Sequence, residues 1–347
     1  MFMKAIDILY PTWCHLQSRR DRVPHALLLA GPRGLGKLAL AQSFAASLLC
    51  ENPQQDGLAC GRCLACGWMV QGNHPDFRLL QPEALAPGDD ESEGKAEKKK
   101  PSQQITIDQV RALEEFLAVG AHRAGARIVI VHPAEAMNRN TANALLKSLE
   151  EPGAGILFLL VSHEPTRLLP TIRSRCQTEN VPRPDPGAAL SALEKSGVSD
   201  PGRWLALAGG APFLAQELAA KGQGDWIGVL ADRLAAPDGD PLGAAADLDR
   251  LLKEGKGSPG LREVVEYAQK WVVDLTLATS GLPARYFVLH QATMASMVER
   301  LSLRGLVGFH RRLVETRRQV EQPLNSRLFL ENLFLEYHGL FANPSRR

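Results

Sequence analysis

The sequence predicts an α/β protein with a mainly parallel sheet, followed by a region built from helices alone. Three observations carry this reading. Short apolar runs at 26–31, 127–131 and 156–161 alternate with helical patterns at 37–49, 108–120 and 134–151. The first run opens through a glycine-rich turn into a helix. After Pro182, Pro184 and Pro186 the strand patterns stop and helical periodicity takes over.

Each element has its own reason. Residues 26–31, Ala-Leu-Leu-Leu-Ala-Gly, form a buried strand ended by glycine, and Ala and Leu recur at helical spacing over 37–49. Residues 77–80 form a second strand. The stretch 83–103 is rich in acids and lysines and poor in large apolar residues, so it is expected to be a disordered surface loop. A helix follows at 108–120, then the β-branched strand Arg-Ile-Val-Ile-Val at 127–131. A helix at 134–151 is ended by Pro152, and strands at 156–161 and 177–181 complete the sheet. Residues 187–221 make a small helical unit. Residues 225–341 make a larger one, with helices near 225–235, 241–254, 260–280, 286–300, 302–321 and 325–341. The domain division expected is 1–181, 182–222 and 223–347.

Composition narrows the function. With 347 residues, 45% apolar and 22% charged, the chain supports two or three domains and needs no disulfides to fold. Forty Lys+Arg against 38 Asp+Glu leave +2, which excludes a polybasic binder as the main theme. The longest apolar run, 156–161, is six residues, so no membrane span is expected. The opening residues carry no long apolar segment, so no secretory signal is expected and the compartment is read as cytoplasmic. Residues 300–347 hold nine Arg against four Glu, read as solvated helix surface, with a basic face for DNA or an acidic partner as the other reading.

Gly31-Pro32-Arg33-Gly34-Leu35-Gly36-Lys37-Leu38 fits the phosphate-loop template G-x4-G-K-[ST] up to its last position. Gly31, Gly34 and Gly36 let backbone N–H groups wrap a phosphate, and Lys37 can reach its outer oxygens. Leu38 stands where Ser or Thr should hold Mg²⁺. The strand at 127–131 runs into His132 and Pro133 rather than carboxylates, and Glu135 is expected on a helix facing elsewhere. Hydroxyl, Mg²⁺ acid and water-positioning acid are thus absent together, and a vestigial loop without ATP hydrolysis is expected. Ser162 is read as a retained sheet end. Asn73-His74-Pro75-Asp76 is read as a loop-to-strand turn rather than a site.

Cys50, Cys60, Cys63 and Cys66 follow the pattern C-x9-C-x2-C-x2-C. Clustered cysteines without a secretory signal point to metal rather than disulfides. Four thiolates suit a structural tetrahedral zinc site, whereas an iron–sulfur run would carry a further Cys-Pro. The expected role is to pin the insertion at 50–66. Cys14 and Cys176 are read as core or motif residues without redox function.

Three segments carry a resemblance. Arg-Val-Pro-His-Ala-Leu-Leu-Leu-Ala-Gly at 22–31, Asn-Ala-Leu-Leu-Lys-Ser-Leu-Glu-Glu-Pro at 143–152 and Ser174-Arg175-Cys176 together resemble the AAA+ clamp-loader subunits of bacterial DNA polymerase III. The motifs cover roughly 22–182, and the ungapped spacing puts His132 and Pro133 at the family's acids. The resemblance implies a P-loop (AAA+, RecA-like) α/β domain with a zinc-module insertion, a small helical lid at 182–222 and an all-α C-terminal collar at 223–347. It implies a non-hydrolysing subunit of a complex that loads a ring-shaped sliding clamp on primed DNA during replication. ATP would be hydrolysed by gamma/tau-type partners, a delta subunit would be a further partner, and no intrinsic ATPase or polymerase activity is expected. Arg175, flanked by Ser174 and Cys176, would enter a neighbour's ATP site as an arginine finger, with Arg173 as the fallback. Two rivals stand beside this. An active P-loop motor subunit is favoured by Lys37 and the glycines and opposed by Leu38, His132 and Pro133. A zinc-bearing DNA-binding protein is opposed by 50–72, where Arg62 is the sole cation against Glu51 and Asp56.

Overall fold

The computed structural model describes residues 5–86, 101–118, 125–220, 224–253, 260–319 and 325–342. The chain divides into two compact units, Phe2–Pro184 and Asp185–Arg347.

The first unit is built on five parallel strands: β1 (Ala26–Ala30), β2 (Phe77–Leu80), β3 (Arg127–Val131), β4 (Ile156–Ser162) and β5 (Gln177–Asn180). Their order across the sheet is β2-β3-β4-β1-β5. Parallel pairing demands crossovers, and the helices between strands supply them. The central strands β1, β3 and β4 are buried almost throughout, as unbroken apolar runs require, while β5 at the edge is Gln-Thr-Glu-Asn and mostly exposed. Register matters for the site. Ala30 lies opposite Ser162 on β4 and opposite Asn180 on β5, so the C-terminal ends of these strands meet at one edge of the sheet.

Helices cover both faces. On one, α5 (Ile107–Ala118) and α6 (Arg139–Glu150) bury Val110, Leu113, Phe116, Leu145 and Leu149 against Leu28, Val129 and Phe158. α3 (Lys37–Leu49) packs on β3 and β4, and α1 (Ala5–Ile8) and α2 (Tyr10–Ser18) pack on α3. Trp13 of α2 meets Phe44 edge-on with ring centroids 6.4 Å apart. α4 (Leu64–Gln71) follows the cysteines, and α7 (Pro170–Arg173) is a single turn. Neither α1, α2 nor α4 is foreseen from periodicity. The strand and helix at 77–80 and 37–49 fall where expected, and the helix at 108–120 starts one residue earlier and is described to Ala118.

Two expectations need correction. The helix at 134–151 is broken: Ala134–Ala136 is a 3₁₀ turn, and α6 starts only at Arg139 because the Asn138 side chain caps it, accepting from Thr141 N–H at 2.9 Å. The expected loop at 83–103 is ordered at both described ends. Ala84 N–H donates to Ser102 O at 3.0 Å and Ser102 N–H to the Glu83 carboxylate at 3.2 Å, while 87–100 lie outside the described residues.

Asn73–Asp76 is structural. His74 Nδ1 accepts from Asp76 N–H at 3.0 Å, and buried Asp76 faces buried Arg127 at 3.7 Å, whose guanidinium lies 4.6 Å from the Phe116 ring centre.

The second unit is helical among its described residues. It contains α8 (Pro186–Lys195), α9 (Pro201–Leu207), α10 (Pro212–Ala220), α11 (Gly224–Leu234), α12 (Pro241–Lys253), α13 (Leu261–Thr279), α14 (Gln291–Met297), α15 (Leu303–Gln319) and α16 (Ser326–Ala342). Trp271 at its centre donates to Tyr337 Oη at 2.9 Å, and Tyr337 donates to Leu234 O at 2.7 Å, so both polar tips are satisfied in an apolar core. Lys270 Nζ donates to Leu207 O at 3.1 Å, tying α13 to α9. The helix expected at 286–300 is α14 flanked by 3₁₀ turns at Val288–His290 and Val298–Arg300, so it begins two residues late and is α-helical only at its centre. Buried Asp274 accepts from Arg285, Tyr286 and Phe287 N–H at 2.8, 2.9 and 2.7 Å, holding that backbone in an extended turn. No helix among the described residues is long and apolar enough to cross a membrane.

Candidate functional site

The phosphate loop sits where β1 ends. Gly31 N–H donates to Ser162 O at 3.3 Å, which locks the start of the loop to β4. Gly31 must be glycine, since a Cβ there would lie 2.7 Å from Val181 O. Gly34 and Gly36 are both left-handed, with φ of 80° and 87°, and Gly36 hands the chain directly to α3. The glycines therefore build the shape that their spacing predicts.

Lys37 does not present its charge outward. Its side chain is 2% exposed, and Nζ donates to Gly31 O and Pro32 O, both at 2.6 Å. Burial pulls its pKa down to about 8, with the Glu135 carboxylate pulling the other way. Glu135 is thus a neighbour of the loop, which corrects the expectation that it faces elsewhere. It sits on the 3₁₀ turn, not on α6, and its Oε1 accepts from the N–H groups of His163 and Glu164 at 2.8 and 3.2 Å.

Two imidazoles occupy the rest of this edge. His132 follows β3, its N–H donating to Leu80 O at 2.8 Å, and meets His163 edge-on with ring centroids 5.3 Å apart. Burial, then Lys37 and Arg33, hold His132 down at about 4. Burial, then Lys37, His132 and Arg33, hold His163 down at about 3. Both rings are neutral at physiological pH. Their Nδ1 atoms, Glu135 Oε2 and Ser162 Oγ are buried without hydrogen-bond partners. His163 and Glu135 escape a motif search because their meeting depends on the β3–β4 register. The adjacency of His163 to Ser162 was the available signal.

Ser174-Arg175-Cys176 joins α7 to β5. Ile172 is fully buried and Cys176 nearly so, with burial raising the Cys176 thiol to about 11, so the backbone on each side of Arg175 is fixed. The Arg175 side chain is 33% exposed. Its Nη1 donates to Thr171 O at 2.9 Å and its Nη2 pairs with Glu150 at the end of α6. Ser174 Oγ donates to the same Thr171 carbonyl at 3.0 Å. Arg173, the fallback, is exposed on the last position of α7.

The four cysteines converge. Cys50 follows α3, Cys63 caps α4 and Cys66 lies in its first turn. Sulfur separations are 3.9 Å for Cys50–Cys63, 3.9 Å for Cys60–Cys66 and 3.7 Å for Cys50–Cys66. A tetrahedron of thiolates about 2.3 Å from a zinc ion has edges of about 3.8 Å, whereas a disulfide needs about 2.05 Å. The donor set therefore fits a zinc ion. Backbone N–H groups of Cys60, Cys63 and Cys66 point at the sulfurs of Cys50, Cys60 and Cys63, at 3.2, 3.4 and 3.4 Å. Those of Arg62 and Cys63 hold the Cys60 thiol down at about 6, and burial pushes Cys66 up to about 12. The insertion is tied to the body as well: Ser47 Oγ donates to Gly57 O at 2.5 Å and Trp13 Nε1 to Asp56 O at 3.1 Å. Cys14 is exposed rather than core.

Comparison with known proteins covers the same region. Residues 13–185 match the family described as DNA polymerase III, delta subunit. The chain is 45% identical over 214 residues to DNA polymerase III subunit delta' of Pseudomonas aeruginosa, covering 60% of each. It is 35% identical over 227 residues to the subunit of the same name from Escherichia coli, covering 60% of this chain and 63% of that one. These matches span about three fifths of the relatives' own length. Among solved structures it is similar to a DNA polymerase III gamma subunit-related protein from Thermotoga maritima, with 17% identity, a TM-score of 0.43, and coverage of 95% of this chain and 99% of that one.

Proposed function

Residues 13–185 belong to the DNA polymerase III delta-subunit family, and on that premise we propose that the chain works as a delta'-type, non-hydrolysing subunit of a replicative clamp loader. It would help a complex containing gamma/tau-type ATPases and a delta subunit to place a sliding clamp on primed DNA, in the cytoplasm. The observation that carries the non-hydrolysing role is the closed phosphate loop. Lys37 is bonded to the loop's own carbonyls, and neutral His132 and His163 stand beside it where oxygen ligands for Mg²⁺ would be needed. Magnesium prefers carboxylate, phosphate and water oxygens, and the carboxylate at this edge, Glu135, is turned onto the His163 and Glu164 N–H groups through its Oε1.

The contribution to chemistry is then made next door. Arg175 offers a planar guanidinium fork, partly exposed on a fixed backbone. In a neighbour's ATP site it would stabilise the charge of the transferring phosphoryl group, an effect of about 10³–10⁵ in rate for arginine fingers. The α/β domain at 1–181 would hold this arginine, 182–222 would act as a lid and 223–347 as a collar for assembly. Zinc on Cys50, Cys60, Cys63 and Cys66 would fix the insertion without entering the chemistry.

ATP turnover tests both halves. The purified chain alone is expected to show none, as is its Lys37→Ala control. Turnover abolished by Lys37→Ala would make the chain a motor subunit instead. In the reconstituted complex, Arg175→Ala is expected to lower ATP turnover at saturating clamp and primed DNA. Unchanged turnover would falsify the finger.

A further inference from the structure

We infer that Glu150 is a positioning residue for Arg175, holding its guanidinium ready before it meets a neighbour's ATP. This rests on the finger reading above. The placement of Glu150 is the first argument. It is the last residue of α6 and is followed by Glu151. A helix C-terminus carries partial negative charge and favours cations, so two acids there work against the helix. The partner that Glu150 has is Arg175.

The second argument is the shape of the clamp. Glu150 takes Nη2 and the Thr171 carbonyl takes Nη1, so the two arms of the fork are held from different elements, α6 and α7. Each Nη keeps a second N–H, and Nε keeps its own. A phosphate can use these donors while both intrachain contacts persist. Ile172 and Cys176 bury the backbone around them, so clamp and finger share one rigid base. A long side chain ordered in advance loses less freedom when it binds, and the gain appears in the rate.

The third argument is what the pair cannot be doing. Both partners are solvent-accessible, Arg175 at 33% and Glu150 at 47%. Exposed ion pairs add little to folding. A stability role therefore leaves the pair unexplained, and a role in presentation does not.

The test uses the reconstituted clamp-loader complex with clamp and primed DNA. Glu150→Ala should lower kcat for ATP by roughly two- to fivefold, the range that exposed pairs support. KM for ATP should not change, because the finger acts on the transition state. Glu150→Gln, which keeps an acceptor oxygen, should recover part of the loss. The melting temperature of the chain alone should not move. In an Arg175→Ala complex, Glu150→Ala should have no further effect. An unchanged or raised kcat in Glu150→Ala overturns the assignment, and so does an equal loss in the Arg175→Ala background. If Arg175→Ala itself leaves turnover unchanged, the finger falls and this assignment with it. If Arg175→Ala lowers turnover while Glu150→Ala is inert, only the assignment falls.

Discussion

The phosphate loop and the cysteine cluster are built on the same plan and end differently. Each runs a glycine-bearing turn into a helix N-terminus, Gly36 into α3 and Cys63 into α4. Each gathers polar groups where a guest of opposite charge is expected. In the loop the ammonium of Lys37 is consumed by two carbonyls of the loop itself. In the cluster the backbone N–H groups are turned onto sulfur, and the sulfurs lie about one tetrahedral edge apart. Similar backbone architecture thus carries different side-chain donors: in the loop the ammonium is satisfied by the loop's own carbonyls, and in the cluster four sulfurs converge with the spacing of a zinc tetrahedron.

The largest effect expected from this contrast is on the cysteine side. Metal analysis of the purified chain should find about one zinc per chain, and Cys63→Ala or Cys66→Ala should abolish it. Structural zinc binding by comparable sites is worth about 10–16 kcal/mol, so chelation should expose 50–72 to proteolysis while the sheet stays folded. Finding no metal, or finding iron, would break the comparison at its stronger end.

The histidine edge gives the next effect. His132 and His163 are held at about 4 and about 3, below the ordinary 6.5. In the unfolded chain they take up protons below pH 6.5, whereas in the folded chain they resist. Stability is therefore fully present above pH 6.5 and is lost as pH falls toward 4 and 3. For His163 the loss is about 3–5 kcal/mol across the window. The denaturant midpoint of the wild type should fall faster than that of His163→Gln from pH 6.5 downward, so the difference between the two chains should change steadily across that window and level off above pH 6.5. Zinc release in acid affects both chains, so the difference between them isolates the histidine. Parallel curves would mean that the imidazole is solvated and the edge is open.

Much of this was legible in the sequence, for identifiable reasons. The strands at 77–80 and 127–131 and the helix at 37–49 stand out because burial on both faces or one face writes its period into the chain. The cysteines are legible because a metal site needs ligands at short spacing. The break before α6 was missed because Ala134 and Glu135 read as helix formers, while the decisive bond is the Asn138 side-chain cap. The turn at 285–287 was missed because its cause, Asp274, lies on another helix. The positions of Glu135 and Glu150 are not legible in the sequence for one reason. Both act across elements, and periodicity carries no information about which helix end meets which strand end.

The smallest effect tests the loop itself. Lys37 titrates at about 8 rather than 10.5 because its ammonium is buried. Between these values the unfolded chain holds a proton that the folded chain has released. Stability must then rise with pH across that window, by about 3 kcal/mol at most. Lys37→Met fills similar volume without the charge, so it should be the more stable chain at pH 7 and lose that advantage as pH approaches 10.5. An advantage independent of pH would mean that the ammonium is solvated and free to reach a phosphate. The loop would then be open rather than closed on itself, and the case for a chain that cannot hydrolyse ATP would rest on Leu38, His132 and Pro133.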